Sequence, residues 1–336
     1  IERNAVLLFM VPVITEDIKK EYEILLAELE KYNPQLLTKA RILAISKCDI
    51  ADPDIDLKAL CEKLTAELEI PVISFSSASG TGLTELKDML DELWLRYDNP
   101  DFIEPDPISV PHSFEGRVDR EIAGFMASTI AWGNRKAIVA SSHRMMRYMD
   151  NSPEDFVRNA SEGDLNHLRS YVHRTFNGED FRDFVLCLRH ILEGWGSIGG
   201  YFEQSYAQHG DMRRVFSDFR REFFSVEHNP HCEKHLSSID RGAACKRLCM
   251  YLRWMVRRDD RGVDFGLWRG IPMSALYIPL DIHTGRIGRS MGLLKRKQDD
   301  WKAVDELTAT LREMCPEDPT RYDYSLFGLG ISGDKL

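Results

Sequence analysis

One stretch constrains the fold more than any other: YDNPDFIEPDPISVPH, residues 97–112. Pro100, Pro105, Pro107 and Pro111 recur there among Asp98, Asp101, Glu104 and Asp106. Proline has no N–H and a fixed φ, so neither a central strand nor a long helix runs through such a segment. The chain is divided here, and its two sides follow different hydrophobic periods.

Before the divide, strand and helix patterns alternate. AVLLFMV (5–11) is a continuous apolar run suited to a buried parallel strand. Residues 15–32 repeat Ile18, Tyr22, Leu25, Leu26 and Leu29 at helical spacing, with Thr15 as the cap. RILAIS (41–46) predicts a second strand and residues 57–68 a second helix. PVISFSS predicts the third strand and TELKDMLDELWL the third helix. This alternation predicts a parallel sheet with crossover helices. After the divide, residues 119–148, 165–176, 180–194, 212–224, 245–258, 282–294 and 301–314 read as helices, with few strand patterns. The expected fold is a partial α/β domain, a three-stranded parallel sheet in residues 1–96, followed by an all-α domain in residues 97–336. Residues 97–112 form its extended lead-in.

The length of 336 residues suits two domains, and 43% hydrophobic residues suit globular cores. No apolar run approaches the roughly 20 residues of a membrane helix, so no membrane partner is expected. Seven scattered cysteines fit a reducing, cytoplasmic setting. The chain starts at Ile1 rather than methionine, so a leader cannot be read from it. A net charge of −10 argues against general nucleic-acid binding. Between Arg241 and Asp300, however, Lys and Arg outnumber the acids, which suits a local phosphate-binding face.

Two loops in the first part carry nucleotide chemistry. SKCD (46–49) follows the second strand and SSASGTG (76–82) the third, and ligands of open parallel sheets sit beyond the carboxyl ends of strands. An aspartate there can accept the N1 and N2 protons of guanine, and a lysine stem can cover the purine face. These residues resemble the guanine-recognition motifs of translational GTPases. Over about the first 95 residues the chain is similar to the Obg family of ribosome-associated GTPases. The resemblance implies that Lys47, Asp49, Ser77 and Ala78 face the base and that association with the ribosome runs through this part. Ser46 departs from the usual Asn or Thr. No G-x-x-x-x-G-K-[ST] loop occurs in the chain, nor the switch segments that hold Mg²⁺. GTP and Mg²⁺ are therefore expected as cofactors only if a P-loop segment exists upstream, and this chain as given is not expected to hydrolyse GTP.

In the second part, Cys245, Leu248, Cys249, Leu252, Met255 and Val256 fall on one helical stripe, with Lys246, Met250, Arg253 and Arg257 beside it. A lysine at the edge of a buried face is either a snorkelling surface group or a partly desolvated amine nucleophile. Further on, Asp281 follows the apolar ALYIPL and opens a helix, the place of an N-cap. His283, Arg286 and Arg289 lie roughly on one side of that helix, where they can meet phosphate or brace the aspartate.

The segment LDIHTGRIGRSMGL resembles the catalytic-aspartate segment of helix-hairpin-helix DNA glycosylases, and DRGAACKRLCMYL resembles the element carrying the lysine of their bifunctional members. From about residue 97 to 332 the chain resembles an uncharacterised bacterial family of that superfamily, closest in layout to the archaeal 8-oxoguanine glycosylases. The resemblance implies Lys246 as Schiff-base nucleophile, Asp281 as its carboxylate partner, and duplex DNA with a damaged base, such as an oxidised purine, as substrate. Arg247, Arg253, His283, Arg286 and Arg289 are the expected DNA contacts. Trp132, Asn134, Arg135 and Phe327 are the candidates for holding a flipped base. The hairpin keeps only Gly242 of the usual glycine pattern, and only Cys315 follows Asp281, so no iron–sulfur cluster is expected. The His and Cys spacing in HNPHCEKH (228–235) fits no standard zinc pattern, and no metal is expected there. Two other readings stay open: an Obg-like GTP-binding ribosome-assembly protein fused to a helical adaptor, and a catalytically inactive DNA-binding module.

Overall fold

The structure is a computed structural model that describes residues 6–38, 40–76 and 83–331. Contacts divide the chain into two compact units. The first joins residues 1–97 to residues 280–336, and the second is residues 98–279. The type of secondary structure changes at the proline-rich stretch. Grouping by contact is a separate division, and it takes the last helices together with the sheet.

In the first unit, β1 (Val6–Pro12), β2 (Ala40–Ser46) and β3 (Val72–Ser74) form a parallel sheet in the order β1-β2-β3. Leu8 lies opposite Ile42 and Leu43 opposite Val72. Strand side chains alternate between faces, so Leu7, Phe9, Val11, Leu43 and Ile45 share one core. That core also takes Ile18 and Tyr22 from α1 (Ile18–Tyr32) and Leu64 from α2 (Leu57–Leu68). The Phe9 and Tyr22 rings meet edge to face at 4.9 Å. Asp17, not Thr15, caps α1, its carboxylate accepting from Lys20 N at 2.9 Å. The helix that follows β3, α3 (Leu83–Tyr97), buries Leu86, Met89, Leu90 and Leu93.

The second unit is helical: α4 (Ser109–His112), α5 (Arg117–Thr129), α6 (Arg135–Tyr148), α7 (Pro153–Asn159), α8 (Glu162–His167), α9 (Gly178–Trp195), α10 (Ile198–His209), α11 (Met212–Phe223) and α12 (Lys246–Val256). Three expectations are corrected. The single helix over 119–148 breaks after Thr129, because Gly133 takes φ 103° and Asn134 starts a new helix as its cap. The helix over 165–176 gives way to an antiparallel pair, β4 (Val172–His173) and β5 (Phe176–Asn177). The lead-in is not wholly irregular, since Pro100–Phe102 is a 3₁₀ turn and α4 is one helical turn. Helices α7 and α10 lie where no helix was expected.

Helix α5 is the centre of this unit, buried continuously from Glu121 to Thr129. Phe125 meets the rings of Phe219, Phe223 and Tyr251 at 5.8, 5.4 and 5.5 Å. The buried Glu121 carboxylate accepts from Gly199 N and Trp268 Nε1, both at 2.9 Å, and from Arg117 Nε at 3.0 Å. Pairing and hydrogen bonding offset part of the desolvation that burial of a charge costs, and removing a partner leaves that cost uncompensated.

The chain returns to the first unit with α13 (Ile282–Ser290), α14 (Trp301–Met314) and α15 (Tyr322–Ile331). Helix α15 packs on α3 and α13. Ser325 Oγ donates to Leu90 O at 2.6 Å, and Arg321 pairs with Asp91. Among the described residues, no helix is long and apolar enough to cross a membrane.

Candidate functional site

Lys246 is the first residue of α12. A 3₁₀ turn (Ile239–Arg241) leads into Gly242 at φ 77°, and Cys245 at φ 48° turns the chain into the helix. No α-helix runs directly into this turn, so the expected helix-hairpin-helix is replaced on its first side by 3₁₀ segments. Cys245 is buried, and burial pushes its thiol up to about 12, which leaves it inert. Lys246 is half-buried. Asp106, from the proline-rich stretch, is a buried carboxyl that the sequence reading missed. Burial pushes it upward, against the positive charges of Arg135, Arg253 and Lys246. No short-range pattern links residue 106 to residue 246, so periodicity carries no signal for that pair.

The two arginines beside the apolar stripe are buried rather than displayed. Arg253 Nε lies 3.4 Å from Asp264 Oδ1. Arg257 Nη1 donates to Asp98 at 2.9 Å and to Asp264 at 3.0 Å, and its Nη2 lies 2.8 Å from Asp259. Arg253 is thereby removed from the expected DNA contacts. Burial pushes the Asp98 carboxyl up to about 6, opposed by Arg257 and reinforced by Asp259 and Asp264.

Beside the start of α12, Ser128, Thr129, His235, Ser237, Cys245 and Arg247 line a small pocket floored by Phe125. Arg247 donates to Thr129 O, and its guanidinium lies 5.0 Å from the Trp132 ring centre. Burial pushes the Arg247 guanidinium down to about 10. Trp132 in turn stacks on His235 at 5.7 Å and 20°. The fold therefore brings together Trp132 and Arg247, two of the residues singled out from sequence, and engages the Trp132 ring with both neighbours. Asn134 and Arg135 have structural work. Asn134 accepts from Ala137 N at 3.1 Å, and Arg135 pairs with Asp106 at 3.9 Å.

Asp281 belongs to the first unit. Its backbone is extended, and its Oδ1 accepts from His283 N and Thr284 N, both at 2.9 Å. This is the N-cap geometry expected from the sequence. On α13, His283 is exposed and meets the Phe327 ring edge-on at 6.4 Å. Arg289 donates to Arg296 O at 2.7 Å and pairs with Asp299. Arg286 is half-buried. Helix α13 ends at Ser290, not 294, so the basic run is split among ion pairs and between the two units.

At the ends of the sheet strands, Ser46 closes β2, Lys47 turns left-handed at φ 60°, and Asp49 accepts from Ser76 Oγ after β3. Cys48 N donates to Phe75 O at 3.2 Å, which ties the two loops together. Ser77 and Ala78 lie outside the described residues.

Comparison with known proteins gives two findings. The chain is 49% identical over 108 residues to GTPase Obg of Parabacteroides distasonis, covering 32% of this chain and 26% of that protein. It is 51% identical over 90 residues to GTPase Obg of Flavobacterium johnsoniae, covering 27% of each. The chain thus spans about a quarter of the length of these curated relatives. No solved structure matches it. Residues 106–332, well over half of the chain, match the family described as protein of unknown function DUF2400. A stretch of homology to GTPase Obg therefore precedes the match to a second family, and the chain belongs to the DUF2400 family.

Proposed function

We propose that this protein acts on duplex DNA as a glycosylase and AP lyase, with Lys246 as the amine nucleophile and Asp281 as the carboxylate. The observation that carries the reading is Lys246 as the half-buried first residue of α12, entered from the left-handed turn at Gly242 and Cys245. Asp281, aimed by two helix N–H groups, supports it. A damaged base is flipped out of the stack. Asp281 is the carboxylate that stabilises the positive charge developing at C1′, and Lys246 enters the reaction as the free amine, its proton lost to solvent. The amine attacks C1′, the glycosidic bond breaks, and the base leaves with the bonding pair and takes up the proton that the attacking nitrogen sheds. O4′ then takes a proton from solvent, the C1′–O4′ bond breaks, and the nitrogen lone pair closes the protonated Schiff base. Loss of a C2′ proton from the resulting Schiff base then breaks the bond to the 3′ phosphate.

The test is borohydride trapping on duplexes carrying an abasic site or 8-oxoguanine. Wild type is expected to give a covalent adduct and Lys246→Gln none. No adduct with wild type removes the lyase reading, and an undiminished adduct with Lys246→Gln removes the lysine from its role.

A second reading has its own support, the likeness to GTPase Obg together with the Asp49–Ser76 tie between two strand-end loops. The first unit is proposed to bind a guanine base through Lys47 and Asp49. Binding of a fluorescent GDP analogue that is weakened by Asp49→Ala is the expected result.

A further inference from the structure

We propose that Asp180, His231 and His235 form a binding site for a divalent transition-metal ion, with zinc the best match to the donor set. His231 Nδ1 lies 2.7 Å from Asp180 Oδ1, and His235 Nε2 lies 3.2 Å from Asp180 Oδ2. One donor atom from each of the three residues falls within 4.8 Å of the others. An ion with bonds of about 2.0–2.1 Å sets its ligand atoms roughly 3–3.4 Å apart. The Asp180–His235 separation lies in that range and the Asp180–His231 separation a few tenths of an ångström below it, and one carboxylate with two imidazoles is a donor set that zinc and its first-row neighbours take.

Two of the ligands are held in advance. Asp180 sits in the first turn of α9, where its N–H donates to Asn177 Oδ1 at 3.0 Å and its Oδ2 accepts from Asn177 N at 2.9 Å. His235 is 3% exposed, with Phe176 edge-on at 4.9 Å and Trp132 stacked at 5.7 Å. Such outer partners fix ligand orientation. His231 is exposed on the 3₁₀ segment Pro230–His235 and supplies the small opening the ion needs. Three protein donors leave at least one position for water or substrate.

In the metal-free arrangement, imidazole protons stand where the ion would bind. The Lys234 ammonium lies 2.6 Å from His231 Nε2, so that nitrogen accepts and Nδ1 donates to Asp180. Coordination through Nδ1 moves the imidazole proton to Nε2, which can no longer accept from Lys234. Lys234 is exposed and must turn to solvent. It therefore competes with the metal, and its removal tightens binding.

The test uses the full chain stripped with chelator. It reads Zn²⁺ by calorimetry, Co²⁺ by visible absorption, and thermal melting with and without Zn²⁺. One ion per chain and a Zn²⁺-dependent rise in Tm are expected. His231→Gln, at an exposed position, is expected to keep the metal-free Tm and lose about tenfold or more in affinity. Lys234→Met is expected to tighten binding. His228→Gln, at a histidine bonded to Glu233 instead, is expected to leave it unchanged. Absence of stoichiometric binding overturns the site, as does His231→Gln binding as tightly as wild type. Neither outcome bears on Lys246 or Asp281.

Discussion

At the residue scale, the helical core depends on groups with one permitted neighbour. A Cβ at Gly199 would stand 2.3 Å from Trp268 Nε1 and 2.7 Å from Glu121 Oε1, two atoms fixed by their own hydrogen bond. Gly199→Ala is expected to cost about 1–3 kcal/mol, read as a lower denaturant midpoint at unchanged m-value. Asp98 gives a pH signature. Its carboxyl is raised to about 6 in the folded protein by burial, above the ordinary value of an unfolded chain. The native state therefore keeps a proton that the unfolded chain has already lost. Its contribution to stability is present at acid pH and lost as pH rises through about 6. Asp98→Asn, neutral at every pH and still able to accept from Arg257, is expected to flatten the pH dependence of Tm between about 4 and 7. It is also expected to melt above wild type at pH 8. Equal pH profiles for the two proteins would refute this. Helical periodicity placed Arg253 and Arg257 beside an apolar stripe, and the structure buries them. The carboxylates that make burial tolerable lie elsewhere, Asp98 at a sequence separation of 159 from Arg257.

At the element scale, capping and charge can be separated on α13. Asparagine and aspartate both cap well, whereas alanine does not. Asp281→Asn is expected to keep the stability of α13, and Asp281→Ala to cost about 0.5–2 kcal/mol. If the carboxylate has the proposed role, both variants lose trapping activity. Retained activity in Asp281→Asn would leave the residue as a cap only. Helix α15 has a similar discriminating position. A Cβ at Gly328 would stand 2.5 Å from the Tyr97 ring at the end of α3. Gly328→Ala is expected to loosen the α3–α15 contact and lower Tm. The helices themselves were readable where caps and periodicity agree, as at Asp281 and along α12. They were misread where a glycine or a short polar turn interrupts an apolar pattern, as at Gly133 and at β4–β5.

At the scale of the whole molecule, the second unit is continuous in sequence and the first is not. Residues 98–279 made alone are expected to melt in one cooperative step, since their core around Phe125 is contained within them. Residues 1–97 alone lose α15, which covers α3, and are expected to lack a cooperative transition by circular dichroism and calorimetry. A cooperative transition in that shorter fragment would show that the sheet core suffices.

The sequence by itself determined what depends on neighbours along the chain. It set the alternating strands and helices before residue 97, the helical character after it, the divide between them, and the cap at Asp281. These follow from backbone dihedral preferences and side-chain periodicity, which act over a few residues. Only the tertiary structure decided the grouping of residues 280–336 with the sheet, the burial of Arg253 and Arg257, and the meeting of Asp180 with His231 and His235. Each joins groups far apart in sequence, and no local period records such a pairing. Whether a charged side chain faces water or an opposite charge is settled when the chain closes on itself.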